Sequence, residues 1–232
     1  MTPKLSSAAM IALAAFYVTS SQAAAQDKAS NPAYAKGYGQ GQNGGSGFQP
    51  FKVATTGTAG TFIFTAKEAE GDKGTPAPHT IDSNGKSFGL YAQKKGSLVT
   101  ITRRFSVPLT AKGDSFAVDF VGGYNDTGTV GIALLTAGAT TGSFVYHGGG
   151  PGVLFNGKKT GLGYVSGASH LVYTLTSPAT YTLKATGADH FIGTGTFRGP
   201  MTGFQVQQTN SGVAKPDHNA YFNNLSVTHA HK

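Results

Sequence analysis

Carboxylates are scarce in this chain, and their placement limits the chemistry it can perform. Asp and Glu together number ten in 232 residues. Hydrolysis of a glycosidic bond needs two carboxyl groups held about 5 to 9 Å apart, commonly on one strand face. The chain's two glutamates, Glu68 and Glu70, fall in the stretch Ala66 to Gly74, which has no strand character and reads as a solvated loop. Asp119 is the carboxylate that sits inside a clear strand pattern, and no partner is evident near it in sequence. The residues therefore offer no acid/base pair, and no catalytic residue is assigned.

Other constellations reduce to structure in the same way. Gly39, Gly41 and Gly44 match the spacing of a dinucleotide-binding turn, but that turn works only between a strand and a helix whose N-terminus faces the pyrophosphate. Neither flank is present. Ser87 lies between Gly85 and Gly89 at nucleophile-elbow spacing, yet Leu90, Tyr91 and Ala92 continue it as a strand and not as the required helix. His229 and His231 are spaced to share a metal, but they occupy the last four residues, where fraying is the rule. The oxygen-rich stretches Tyr124 to Thr127 and Asp217 to Asn219 offer the donor types Ca²⁺ takes, with one Asp each; Asx-turns explain them more simply, and no cofactor is assigned.

The remaining polar groups suit recognition better than catalysis. In the run Ser115 to Val121, Phe116, Val118 and Phe120 share one face and Ala117 and Asp119 the other. A ligand rich in hydroxyls would meet the second face. The candidate binding residues are Asp119 as a hydrogen-bond acceptor, Tyr124 and Tyr146 as surfaces for stacking on sugar rings, and Asn125 and Asp126 as loop hydrogen-bonding groups.

Strands must position these groups. From Phe51 onward, runs of five to nine residues rich in Val, Ile, Phe, Tyr and Thr are cut by Gly, Asn, Asp or Pro, and no window shows a helical period. The expected strands are Thr61 to Ala66, Ser87 to Ala92, Ser97 to Val107, Ser115 to Val121, Thr129 to Thr136, Ser143 to His147, His170 to Thr176, Thr180 to Thr186, Phe191 to Arg198, Gly203 to Thr209 and Ala220 to Thr228, with shorter pieces at Phe51 to Val53 and Val153 to Phe155. Alternation within them predicts an all-β fold, an antiparallel two-sheet β-sandwich. Asn84-Gly85 and Asn156-Gly157 are expected as type I′ turns. The loops 122–128 and 147–152 bracket neighbouring strands and are expected at one end of the sandwich. Arg103 shares parity with Val99, Ile101 and Phe105, which demands either a bulge or a partner for a buried charge.

Ahead of the strands, residues 31–51 hold six glycines between aromatic ends. Tyr34, Tyr38, Phe48 and Phe51 can pin such a backbone onto a core, so the stretch reads as an ordered lead-in. Residues 1–25, with Lys4, an apolar run from Ala8 to Val18 and a small-residue exit at Ala23 to Ala25, have the pattern of a secretory signal peptide, which places the mature start at Gln26. The apolar run is too short to span a bilayer. The remaining residues, 26–232, fit a single β-sandwich domain. There is no cysteine, so no disulfide or thiolate chemistry enters. Charged residues make up 12 %, and the formal charge of +8 falls to +7 when Lys4 leaves with the leader. A basic balance suits an anionic polymer. The cation pairs Lys94-Lys95, Arg103-Arg104 and Lys158-Lys159 are scattered, which excludes the basic stripe of a nucleic-acid groove.

Several stretches taken in order resemble one family: Asn31 to Tyr34, residues 37–48, Ile81 to Tyr91, Arg104-Phe105, Gly113 to Phe116 and Tyr221 to Val227. They are similar to a group of secreted bacterial β-domains that often carry a PEP-CTERM sorting tail. The resemblance spans nearly the whole mature chain and implies a concanavalin-like jelly roll. Two departures stand out. Members usually carry Trp where this chain has Tyr38 and Phe51, and the chain ends at Lys232 without a sorting helix, so release outside the cell or into the periplasm is expected over anchoring. The function expected is non-catalytic binding of carbohydrate or a cell-envelope polymer, anionic polymers included; a structural matrix protein is the alternative, and a glycoside hydrolase or lyase the third.

Overall fold

The computed structural model describes residues 25–65, 81–137, 139–150, 152–163, 167–187, 190–212 and 218–230. The leader to residue 24, the loop carrying Glu68 and Glu70, Asp217 and His231 lie outside them.

Among the described residues thirteen strands build the fold: β1 (Ala25–Asp27), β2 (Lys52–Thr65), β3 (Lys86–Leu109), β4 (Ser115–Val121), β5 (Thr129–Leu135), β6 (Thr140–His147), β7 (Gly152–Phe155), β8 (Lys158–Lys159), β9 (Ser169–Ser177), β10 (Thr180–Gly187), β11 (Phe191–Thr196), β12 (Met201–Thr209) and β13 (Ala220–Thr228). All pair antiparallel, in the order β11-β10-β9-β4-β13-β3-β12-β5-β6-β7-β8, with β1 added to β13 and β2 to β3. The ladder folds over at β3. Its start pairs with β13 through Phe88, Gly89 and Leu90, and its end pairs with β12 from Leu98 to Leu109. Two sheets result, and the chain crosses between them at β3–β4, β4–β5, β8–β9, β11–β12 and β12–β13, which is the wrapping of a jelly roll. The β-sandwich expected from alternation is the one observed.

Two differences from the sequence reading concern this corner. Ser87 to Ala92 and Ser97 to Val107 read as two strands but form one, because pairing with β2 runs to Gln93, skips Lys94 to Ser97 at a register shift opposite Gly57, and resumes at Leu98. Lys94 and Gly96 take positive φ there, so the strand kinks without ending. The second difference is β8, a two-residue strand that follows the Asn156-Gly157 turn; both turn residues have positive φ, as do Asn84 and Gly85, as type I′ geometry requires.

The inward residues of both sheets form one core. Phe116 of β4 stacks on Phe204 of β12 at 4.8 Å, and Phe120 of β4 on Tyr146 of β6 at 6.0 Å, so opposite sheets meet through aromatic rings. The glycine-rich lead-in belongs to this core. Tyr34, Tyr38, Phe48 and Phe51 are all buried. Asn31 caps a single 3-10 turn, its Oδ1 accepting from the Ala33 amide, and that turn aims Tyr34 inward. Tyr34, Tyr38 and Phe51 all pack on Phe88, at 5.0, 4.9 and 5.5 Å. The glycines permit close approach: a Cβ on Gly44 would lie 2.7 Å from the Tyr34 ring, and one on Gly45 would collide with Asp27.

Arg103 resolves the parity question raised by its sequence position. It is fully buried, with no bulge turning it outward. Its Nη1 pairs with Asp27, its Nη2 donates to Asn43 Oδ1 at 2.6 Å and its Nε to the Gln49 carbonyl at 3.0 Å. Its guanidinium also lies over the rings of Phe48 and Phe51, at 4.7 and 4.1 Å. The Tyr34 hydroxyl donates to Asp27. All of these partners come from β1 and the lead-in.

Candidate functional site

The outward face of the first sheet is set by strand alternation. Along β4, Phe116, Val118 and Phe120 are fully buried, while Asp119 points the other way and retains exposure. Asp119 stands opposite His170 on β9 and Asn223 on β13. A bulge in β13 then matters. The register shifts between Asn223 and Ser226, and Asn224 takes a φ of 50°, a conformation Asn tolerates better than most residues. The bulge splits the two asparagines. Asn223 turns under the chain entering β3, its Nδ2 donating to the carbonyls of Ile81 and Lys86, each at 2.9 Å, while its Oδ1 accepts from the Ala29 amide. Asn224 turns toward Asp119.

Asp119 thereby becomes the hub of a three-residue cluster. Oδ1 lies 2.6 Å from His170 Nδ1, and Oδ2 accepts from Asn224 Nδ2 at 2.7 Å. Asn224 Nδ2 also reaches the Ile81 carbonyl at 3.1 Å. The side chain of Asp119 is 19 % exposed and that of His170 is 50 % exposed, so the carboxylate holds the imidazole from below and leaves the rest of the ring to solvent. With Nδ1 taken, Nε2 faces outward. Two clefts flank the cluster. One, of about 350 Å³, is lined by Gln26, Asn31, Asn224 and Ser226 among others; the second, of about 410 Å³, by Asp119, His170 and Thr186. Asn224 belongs to one and Asp119 to the other, so the hydrogen bond between them joins the clefts into a polar strip from β1 to β10.

The other expected binding residues part company with Asp119. Tyr146 is a correction: it is 1 % exposed and packed against Phe120 and Phe144, because it shares parity with Phe144 on β6 and faces the core. Its ring is closed to a ligand. Asn125 is likewise buried, its Nδ2 directed to the Gly122 carbonyl. Tyr124 is 49 % exposed and lies 5.3 Å from the His218 ring, and Asp126 is exposed with its amide bound to the Ser211 carbonyl. The loop that carries them does meet 147–152, through the Gly148 amide donating to the Gly128 carbonyl, as expected for one end of the sandwich. The hydrogen-bond partners of Asp119 described above are on β9 and β13, not on this loop.

The remaining motifs are seen only in part, since Asp217 and His231 lie outside the described residues. Ser87 is buried within β3. Among the described residues no group of three His, Cys, Asp or Glu side chains is placed to hold a metal. Asp114 illustrates a carboxylate spent on structure: burial pushes its pKa up, but amides of Ala111, Thr110 and Ala230 and the nearby His229 outweigh this and leave it below the usual aspartate range.

Sequence and structure comparisons add the following. No family model matches the chain, and no curated protein matches it. Among solved structures, it is similar to the galectin LEC-6 of Caenorhabditis elegans, at 14 % identity over 61 % of this chain and 96 % of that one, with a TM-score of 0.37. It is also similar to a family 11 carbohydrate-binding module from Clostridium thermocellum, solved with a β-1,3-1,4-mixed-linked tetrasaccharide, at 7 % identity over 78 % and 89 % of the two chains and a TM-score of 0.37. A third is the carbohydrate esterase vb_24B_21 of the Shiga toxin-encoding bacteriophage phi24B, at 11 % identity over 77 % and 90 %, with a TM-score of 0.45.

Proposed function

We propose that this protein is a non-catalytic domain that binds carbohydrate or a cell-envelope polymer outside the cytoplasm, through the outer face of its first sheet. One observation carries the reading: Asp119 clamps His170 and Asn224 side by side between two open clefts. Planar polar side chains fixed from behind by a carboxylate suit sugar hydroxyls, because the donors are oriented before a ligand arrives and little side-chain entropy is lost on binding. Gln26, Ser226 and Thr186 extend the same strip with neutral donors and acceptors. Export follows from the leader pattern of residues 1–25.

A glycan array, followed by calorimetric titration of the strongest hit, tests the proposal. Hydrogen bonds of this type contribute about 1 to 3 kcal/mol, so His170→Ala and Asn224→Ala should each weaken binding roughly five- to a hundredfold. Melting temperatures should move little for His170→Ala, which is half exposed. Affinity that survives both substitutions would exclude this face. Absence of saturable binding to any glycan or envelope polymer would favour the structural-matrix alternative, and release of reducing ends from a bound glycan would overturn the non-catalytic assignment.

A further inference from the structure

A second cleft of different chemistry lies on the other side of the buried Arg103. Where the lead-in meets β2 and β3, Lys52 stands opposite Thr102, and Arg104 follows two residues later on the same outward face. Diagonal neighbours of this kind lie about 7 to 8 Å apart, a span that two long cationic side chains close easily around one small group. Both are exposed, and among the described residues neither is paired with a carboxylate; Arg104 Nη1 donates only to the Thr202 hydroxyl, at 3.0 Å. The cleft between them, about 240 Å³, has no acidic residue in its lining. Gln40 is already oriented, since its Oε1 accepts from the Val53 amide at 2.9 Å and leaves Nε2 to donate. Pro50 adds an apolar wall.

The floor of this cleft is rigid. Phe51 lies beneath it with its ring under the buried Arg103, and the Gln49 carbonyl is held by Arg103 Nε. The charge of Arg103 is met by Asp27, so the positive potential at the surface comes from Lys52 and Arg104. Two cations without a carboxylate partner, an anchored amide and a threonine line one small, largely apolar cleft with no acidic residue among them. Such a set recognises a compact oxyanion.

We propose that this cleft is a subsite for an acidic saccharide, gripping the carboxylate or sulfate of a charged sugar unit. The inference rests on the glycan-binding reading above and adds the charge of the glycan and a second contact point. A sugar ring set against Pro50 places its acidic group between Lys52 and Arg104. Galacturonate oligomers, a sulfated oligosaccharide and a neutral oligosaccharide of equal length, each titrated into the full mature chain at low and high salt, test it. At least one acidic oligomer should bind about tenfold or more tightly than the neutral one, with an advantage that shrinks as salt rises. Which of the two binds identifies the oxyanion. The double substitution Lys52→Gln, Arg104→Gln should remove most of that advantage while leaving neutral binding and the melting temperature unchanged. Equal affinity for acidic and neutral oligomers, or an acidic preference that survives the double substitution, overturns the proposal. His170→Ala separates the two ideas: neutral binding lost with His170 but indifferent to Lys52 and Arg104 leaves the glycan-binding reading standing and removes only this one.

Discussion

Arg103 shows how a buried charge is tolerated in a core with few polar groups. A charge removed from water costs several kcal/mol unless its hydrogen-bonding capacity is met, and here every arm of the guanidinium has a partner. Asp27→Ala should therefore destabilise the fold by about 3 to 5 kcal/mol, because it strands Arg103, whereas replacing both residues with apolar side chains should recover a large part of the loss. Urea melts of the two single variants and the double variant decide this; additive losses would contradict the pairing. Asp114 supplies a pH-dependent test. Its folded pKa lies below the unfolded value of about 4, so its stabilisation is complete above that pH and is lost as pH falls through the folded value. Asp114→Asn should flatten the acid side of the stability profile. At the alkaline end burial raises Tyr38 and Tyr173, and burial helped by Asp27 against Arg103 raises Tyr34. These hydroxyls stabilise the fold below about pH 10 and cease to do so as the unfolded chain ionises, so absorbance titration should show them ionising only as the protein unfolds. At this scale the sequence was partly readable. The inward parity of Tyr146 with Phe144 was visible in the run Ser143 to His147, but the partners of Asp119 are 51 and 105 residues away, and only the folded ladder brings them together.

Strands were legible wherever one face is dry and the other wet. Ser115 to Val121 and Ala220 to Thr228 match β4 and β13 residue for residue, since Phe116, Val118, Phe120, Phe222, Leu225 and Val227 alternate into the core. The β3 corner was hidden because Lys94, Lys95 and Gly96 have the composition of a loop; what holds them is the Lys94 amide donating to the Gly212 carbonyl and the Gly96 amide to Asn210 Oδ1, both long-range contacts. The Asn224 bulge was equally hidden, as Asn-Asn carries no strand or turn preference strong enough to announce a left-handed residue in mid-strand. The lead-in makes the strongest prediction for an element. Deleting residues 31–51 removes four buried aromatics, each worth on the order of 1.5 to 3 kcal/mol, from a fold whose total stability is about 5 to 15 kcal/mol. Cooperative melting should vanish in calorimetry, and an unchanged transition would make the segment a tether. Gly45→Ala probes the same docking more gently: its methyl would meet Asp27, so a lower melting temperature is expected, together with a loss of hydrogen-exchange protection in β1.

For the molecule as a whole, strand dominance should be plain in far-ultraviolet dichroism. Among the described residues the one helical piece is the 3-10 turn Pro32–Tyr34, so helix content above about a fifth would conflict with this architecture. The arrangement also fixes an order of events. β1, the first of the described strands, pairs with β13, the last of them: Ala25 meets Val227, and Asp27 meets Leu225. Phe88, on which the lead-in aromatics close, likewise waits for Phe222. A chain interrupted at residue 200 has the cation Arg103 and its counter-ion Asp27 but lacks the strand that holds that counter-ion in place. Docking of β1 and of the lead-in therefore has to follow the arrival of β13, so the pair of Asp27 with Arg103 closes only once both ends of the described chain have met.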